Sequence, residues 1–224
     1  MTLRRLALVG LSTWCMLGCS TVPFSEIDLA SVENADPQAV REQFSLELPE
    51  RFRIVNTVTF QFGGKASSAI GYTEVDTSTK TFTVVGLHPA GGFKLFELSG
   101  DSENVECTFA LEEFTRRGDF ARAVGEDTRR MYFDRIPARD AKISKGKNRI
   151  FFRQPAADGE MEYVFAGTDG VLVEKHYYEN GSKVWSASYY EYLRKNDKLY
   201  PAGIILKHHE YRYRLVVRLK EIWS

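Results

Sequence analysis

The stretch MEYVFAGTDGVLVEKHYYENGSKVWSASYYEY, Met161 to Tyr192, decides the fold class. Its runs Met161–Ala166, Val171–Tyr178 and Lys183–Tyr192 are rich in β-branched and aromatic residues, and Thr168-Asp169-Gly170 and Glu179-Asn180-Gly181 separate them. Asp-Gly and Asn-Gly mark hairpins because tight turns between strands need positive φ, which these residues tolerate. Ala157-Asp158-Gly159 repeats the signal upstream, after Arg149–Arg153. Downstream, Tyr200–Lys207 leads to the clearest strand: Tyr211, Tyr213, Leu215, Val217 and Leu219 alternate with Arg212, Arg214, Arg218 and Lys220. Period two places the two sets on opposite faces.

The same period governs the chain beyond Glu50. Ile54, Val58, Phe60 and Phe62 share a face against Thr57, Thr59 and Gln61. The runs Ala66–Val75, Thr81–Leu87 and Phe93–Leu98 follow, divided by Gly63-Gly64, Asp76–Thr79 and Pro89–Gly92, all turn chemistry. A helical period interrupts between Ala110 and Tyr132, where Leu111, Phe114, Phe120, Val124, Thr128 and Met131 recur, with a break at Gly118-Asp119. A shorter helix is predicted from Asp36 to Leu46, with Asp36 as N-cap and Pro37 in the first turn. The expectation is a mainly β (α+β) domain: a single curved antiparallel sheet of about ten or eleven strands under a helical lid.

The N-terminus carries a separate message. Arg4 and Arg5 precede an apolar run, Leu6–Leu17, too short for a membrane-spanning helix of about 20 residues. Met16-Leu17-Gly18-Cys19 closes it and resembles the lipobox of bacterial lipoproteins. That resemblance implies a signal peptide over residues 1–18, lipidation of Cys19, a tether over 19–37 and a folded domain over 38–224, held at the outer membrane with the domain in the periplasm. Loss of residues 1–18 removes two basic residues and no acid from a chain with 30 of each, leaving a net charge of −2. This balance gives no basis for nucleic-acid binding. Cys107 would be the only cysteine in the folded body, read as a small core side chain on a strand.

No residue set suggests catalysis or a cofactor. There is no nucleophile elbow, Gly63-Gly64-Lys65-Ala66-Ser67-Ser68 lacks phosphate-loop spacing, and His88, His176, His208 and His209 show no metal-ligand spacing. Adjacent His208 and His209 point to opposite faces of a strand. Asp127, Arg129, Arg130, Asp134 and Arg135 read as a solvated charged face on the longer helix.

The order of lipobox, short helix, four meander strands, helical insert and hairpinned second half resembles the LolA/LolB superfamily of periplasmic lipoprotein carriers. Gly86-Leu87-His88-Pro89-Ala90-Gly91-Gly92 and Trp185–Tyr192 before Leu199-Tyr200-Pro201 are the suggestive local matches. The resemblance implies an unclosed barrel whose concave side holds acyl chains, a non-enzymatic role without cofactor, and a rim loop at His88, Pro89 and Ala90. In LolB that loop presents a Leu; here the position is Ala90. The candidate ligand-binding face is Val58, Phe60, Phe62, Val84, Phe93, Leu95, Phe152, Phe165 and Trp185, equally compatible with a filled core. The partners expected are a membrane through the lipid and a hydrophobic or acylated ligand, for a monomer. The alternative is a non-catalytic module docking another cell-envelope protein.

Overall fold

The computed structural model describes residues 22–25, 27, 29–116 and 118–223. The predicted signal and Cys19 lie outside them. Twelve strands form one antiparallel meander. They are β1 (Arg51–Phe62), β2 (Lys65–Asp76), β3 (Thr81–Leu87), β4 (Lys94–Gly100), β5 (Val105–Ala110), β6 (Lys142–Lys145), β7 (Arg149–Ala156), β8 (Gly159–Ala166), β9 (Val171–Glu179), β10 (Ser182–Lys195), β11 (Lys198–His208) and β12 (Tyr213–Trp223). The sheet order is β5-β4-β3-β2-β1-β12-β11-β10-β9-β8-β7-β6. Antiparallel pairing of β1 with β12 brings the two halves of the chain together, while β5 and β6 remain as edges, so the barrel is unclosed. The strand count exceeds expectation because the edge strands are weak in sequence: β6 has one apolar residue, Ile143, among four.

The hairpins close as their residues dictate. Gly63 and Gly64 have φ of 56° and 77°, and Asn180 and Gly181 have 49° and 75°, the paired positive values that a two-residue turn between twisted strands requires. The β1–β2 register is unbroken from Arg51↔Asp76 to Phe62↔Lys65, so Phe52, Ile54, Asn56, Val58, Phe60 and Phe62 share the concave face.

Three helices accompany the sheet. α1 (Pro37–Glu47) starts at Asp36, whose carboxylate accepts from the Gln38 N–H, and seats Phe44 in the core. α2 (Glu112–Thr115) is a single turn, and Gly118 at φ 72° breaks the chain before α3 (Phe120–Tyr132). The carboxylate of Asp119 caps α3 by accepting from the Arg122 N–H. α3 crosses the concave face, with Gly125 against Val105 and Phe82 at one end and the Met131 carbonyl accepting from the Tyr189 hydroxyl at the other (2.9 Å).

Three sequence expectations need correction. Cys107 is on a strand but exposed, because β5 is an edge that nothing covers on that side. The charges in and just after α3 are not all a solvated face: Asp134 is exposed, but Asp127 and Arg135 are 6% and 4% exposed. Nor does the stretch 19–37 hang free where it is described. Phe24 is buried on the convex face, stacked on Tyr190 at 5.2 Å and covering Gly203, where an added Cβ would lie 2.4 Å from its ring. Val32 joins the main core, its N–H donating to the Lys147 carbonyl.

Candidate functional site

The nine candidate residues do not form one wall. Phe152 and Phe165 are fully buried, edge to face at 5.4 Å, and Phe165 meets Phe44 of α1 at 5.3 Å. Trp185 and Val84 belong to the same core. Leu95 is buried where β3 and β4 shift register, its carbonyl accepting from the Leu111 N–H. Val58 is half-buried, whereas Phe60, Phe62 and Phe93 are 43%, 56% and 52% exposed.

Beneath α3 the half-barrel is filled. The cavity bounded by Phe52, Asn56, Tyr132, Arg135 and Tyr200 measures about 10 Å³, room for one water. Two cations are buried here. The Lys175 ammonium donates to the Phe133 carbonyl at the end of α3 (2.8 Å) and lies 5.5 Å from the Trp185 ring. Burial pushes its pKa down to about 7 against the pull of Asp134, and Arg135 adds to the depression. Arg135 sits 5.8 Å from the Phe52 ring, and its Nη2 has no hydrogen-bond partner.

α3 is also tied to the sheet through Asp127. The Tyr213 hydroxyl lies 2.7 and 2.9 Å from its two carboxylate oxygens, and Arg130 Nη1 donates to it at 2.8 Å. Burial pushes the Asp127 carboxyl above the usual carboxylate range, opposed by these two partners.

The concave face opens at the end where the β1–β2, β3–β4 and β11–β12 hairpins turn. Phe60 stacks on Phe62 (6.4 Å, 26° between planes) and meets Tyr213 at 5.6 Å, and Leu215 pairs with Phe60 across β12. On the β4 side, Phe96, Phe114 and Phe120 form a second half-buried cluster with centroids 5.0 to 5.7 Å apart. The expected rim loop lies at this end too, but His88 is used within it. Its ring stacks on Phe93 at 4.7 Å, and Nδ1 accepts from the Ala90 N–H (3.3 Å), leaving Pro89 and Ala90 exposed.

A LolA superfamily protein from Nitrosomonas europaea superposes with a TM-score of 0.54 at 10% identity, over 83% of this chain and 91% of that one. The two chains share this fold. A putative outer membrane lipoprotein-sorting protein domain from Vibrio parahaemolyticus gives 0.50 at 8% identity, over 83% and 90%. No family profile matches the sequence, and no curated protein sequence matches it. At these identities the likeness to LolA-superfamily proteins is one of fold.

Within this LolA-like half-barrel, the mouth residues are the ones free to meet a ligand. Tyr213 was not singled out as a site residue from sequence, although its place in the last strand's apolar series puts it on the same face as Leu215. What sequence does not carry is that β12 pairs with β1, which places Tyr213 beside Phe62.

Proposed function

We propose that the protein is a non-enzymatic carrier or acceptor that holds a hydrophobic or acyl chain against the mouth of its LolA-like half-barrel, anchored to the outer membrane by a lipid on Cys19 and facing the periplasm. The observation carrying this reading is the pair of exposed stacked rings, Phe60 and Phe62, on the concave face of a sheet whose remaining interior is filled. Large exposed apolar groups of this kind mark binding surfaces. Each methylene removed from water contributes about 0.8 kcal/mol, so a modest length of chain laid along Phe62, Phe60 and Val58 binds usefully. The neighbour from Vibrio parahaemolyticus, described as a lipoprotein-sorting domain, supports an envelope setting.

Displacement of a fluorescent fatty acid tests the ligand. Phe62→Asp is expected to weaken binding at least about tenfold, since a charge replaces apolar contact, while the thermal midpoint stays unchanged. Absence of any displaceable ligand sinks the carrier reading and favours docking of another envelope protein. For the anchor, Cys19→Ala should move the protein from the membrane fraction to the soluble fraction; unchanged fractionation removes the lipid from the account.

A further inference from the structure

Between the tips of the β1–β2 and β11–β12 hairpins lies a cleft of about 540 Å³. Phe62↔Tyr213 is the last β1–β12 pair, and the cleft lies at that end of the ladder, with Phe62 and Tyr213 on the concave side and Lys207 and Arg214 on the convex side. Its walls carry Lys65, Lys207, Arg212 and Arg214 as well as Phe62 and Tyr213, and no acid lines it.

Three features make this more than a basic surface. First, Lys207 and Arg214 are directly opposite across β11 and β12, a like-charge pair that costs stability unless something negative lies between them. Second, Arg214 Nε is buried and has no hydrogen-bond partner among the described residues, an expensive condition for a charged donor. Third, no carboxylate neutralises these cations. Among the described residues Lys65, Lys207, Arg212 and Arg214 form no ion pair, although arginines such as Arg51, Arg130 and Arg153 do.

We propose that this cleft binds the phosphate of an anionic headgroup between Lys207 and Arg214 on the convex side of the hairpin tips, and that its acyl chain turns over the rim at Phe62 to reach Phe60 on the concave face. The inference rests on the carrier reading above and names the class of its ligand: an amphiphile with a phosphate head. Arg214 supplies its guanidinium to the phosphate, and Lys207 supplies a second positive charge from the facing strand. Charge-assisted bonds of this kind are about twice as strong as neutral ones. Their number favours a phosphate over a single carboxylate.

Calorimetric titration of the whole chain with dodecyl phosphate, monolauroylglycerol and inorganic phosphate, the amphiphiles below their micelle thresholds, separates the possibilities. Dodecyl phosphate is expected to bind at least about tenfold more tightly than monolauroylglycerol, and the preference should shrink with added salt. Lys207→Gln/Arg214→Gln should abolish the preference while leaving monolauroylglycerol affinity unchanged. Lys207→Glu, which sets an acid opposite Arg214 and keeps the strand pair favourable, should abolish it in a protein at least as stable as the parent. Equal affinity for the two amphiphiles overturns the inference and leaves the carrier reading intact. Inorganic phosphate binding as tightly as dodecyl phosphate overturns the headgroup assignment in favour of a free-phosphate site. Binding of inorganic phosphate without either amphiphile overturns the carrier reading and leaves anion recognition by the cleft standing.

Discussion

Lys175→Met is expected to stabilise the protein at pH 6 by about 1–4 kcal/mol, the range seen when buried charges are replaced by apolar groups of similar volume. Lys175 is 2% exposed, and its folded pKa of about 7 lies below the ordinary lysine value. The unfolded chain therefore binds more protons than the folded one between about pH 7 and pH 10, so wild-type stability rises with pH across that window. Below pH 7 both states are protonated and the full penalty of burying the ammonium is present. At pH 9 the folded amine is neutral and more than half of the penalty has gone. The hydrogen bond from Nζ to the Phe133 carbonyl is lost in the variant, an offset of about 1 kcal/mol. Urea unfolding at pH 6 and pH 9 checks this: the parent should gain stability at the higher pH, and the variant should lose that slope. A parent with no pH dependence between 7 and 9 would refute the assignment.

Phe165→Ala should cost about 3–5 kcal/mol, the usual loss for emptying a buried phenylalanine site. Its ring is fully buried between Phe152 of β7 and Phe44 of α1, so the change leaves a cavity between the sheet and its first helix. The comparison that gives the number meaning is Phe62→Ala. Phe62 is 56% exposed, and its truncation should shift stability by no more than about 0.5 kcal/mol. Urea midpoints for the two variants thus separate core from mouth among residues that look alike in sequence. A loss below about 1 kcal/mol for Phe165→Ala would mean that the interior is already loose enough to be a ligand chamber.

The hairpins were legible because their turns are chemically explicit. Asn180-Gly181 and Gly63-Gly64 announce positive φ, and the alternation in β1 and β12 assigns faces without any knowledge of neighbours. The cap at Asp36 was readable for the same reason: its effect is local. The site was less legible because exposure depends on how far α3 reaches over the sheet. Phe60 and Phe152 carry the same side chain on strands of similar pattern, yet one is half in solvent and the other is sealed. Register is equally silent in sequence. Lys207 and Arg214 are unremarkable as a pair until β11 and β12 are aligned and put them face to face. The burial of Asp127 and Arg135 was hidden because a charged helix and the turn after it are ordinarily wet, and contact with Tyr213 and Phe52 reverses that.

Phe24, wedged onto Gly203 on the convex side, changes the mechanics of any mooring. It lies five positions along from Cys19, a leash of at most about 18 Å when fully extended. β1 alone has 12 residues and is about 40 Å long. With an acyl group on Cys19, the domain would be held by its back on a line shorter than itself. It could roll over its mooring point to bring the hairpin tips to the lipid surface, but it could not swing them out toward a distant membrane. Exchange would then be a rocking motion at one surface, and any second party to it would have to come to the moored domain.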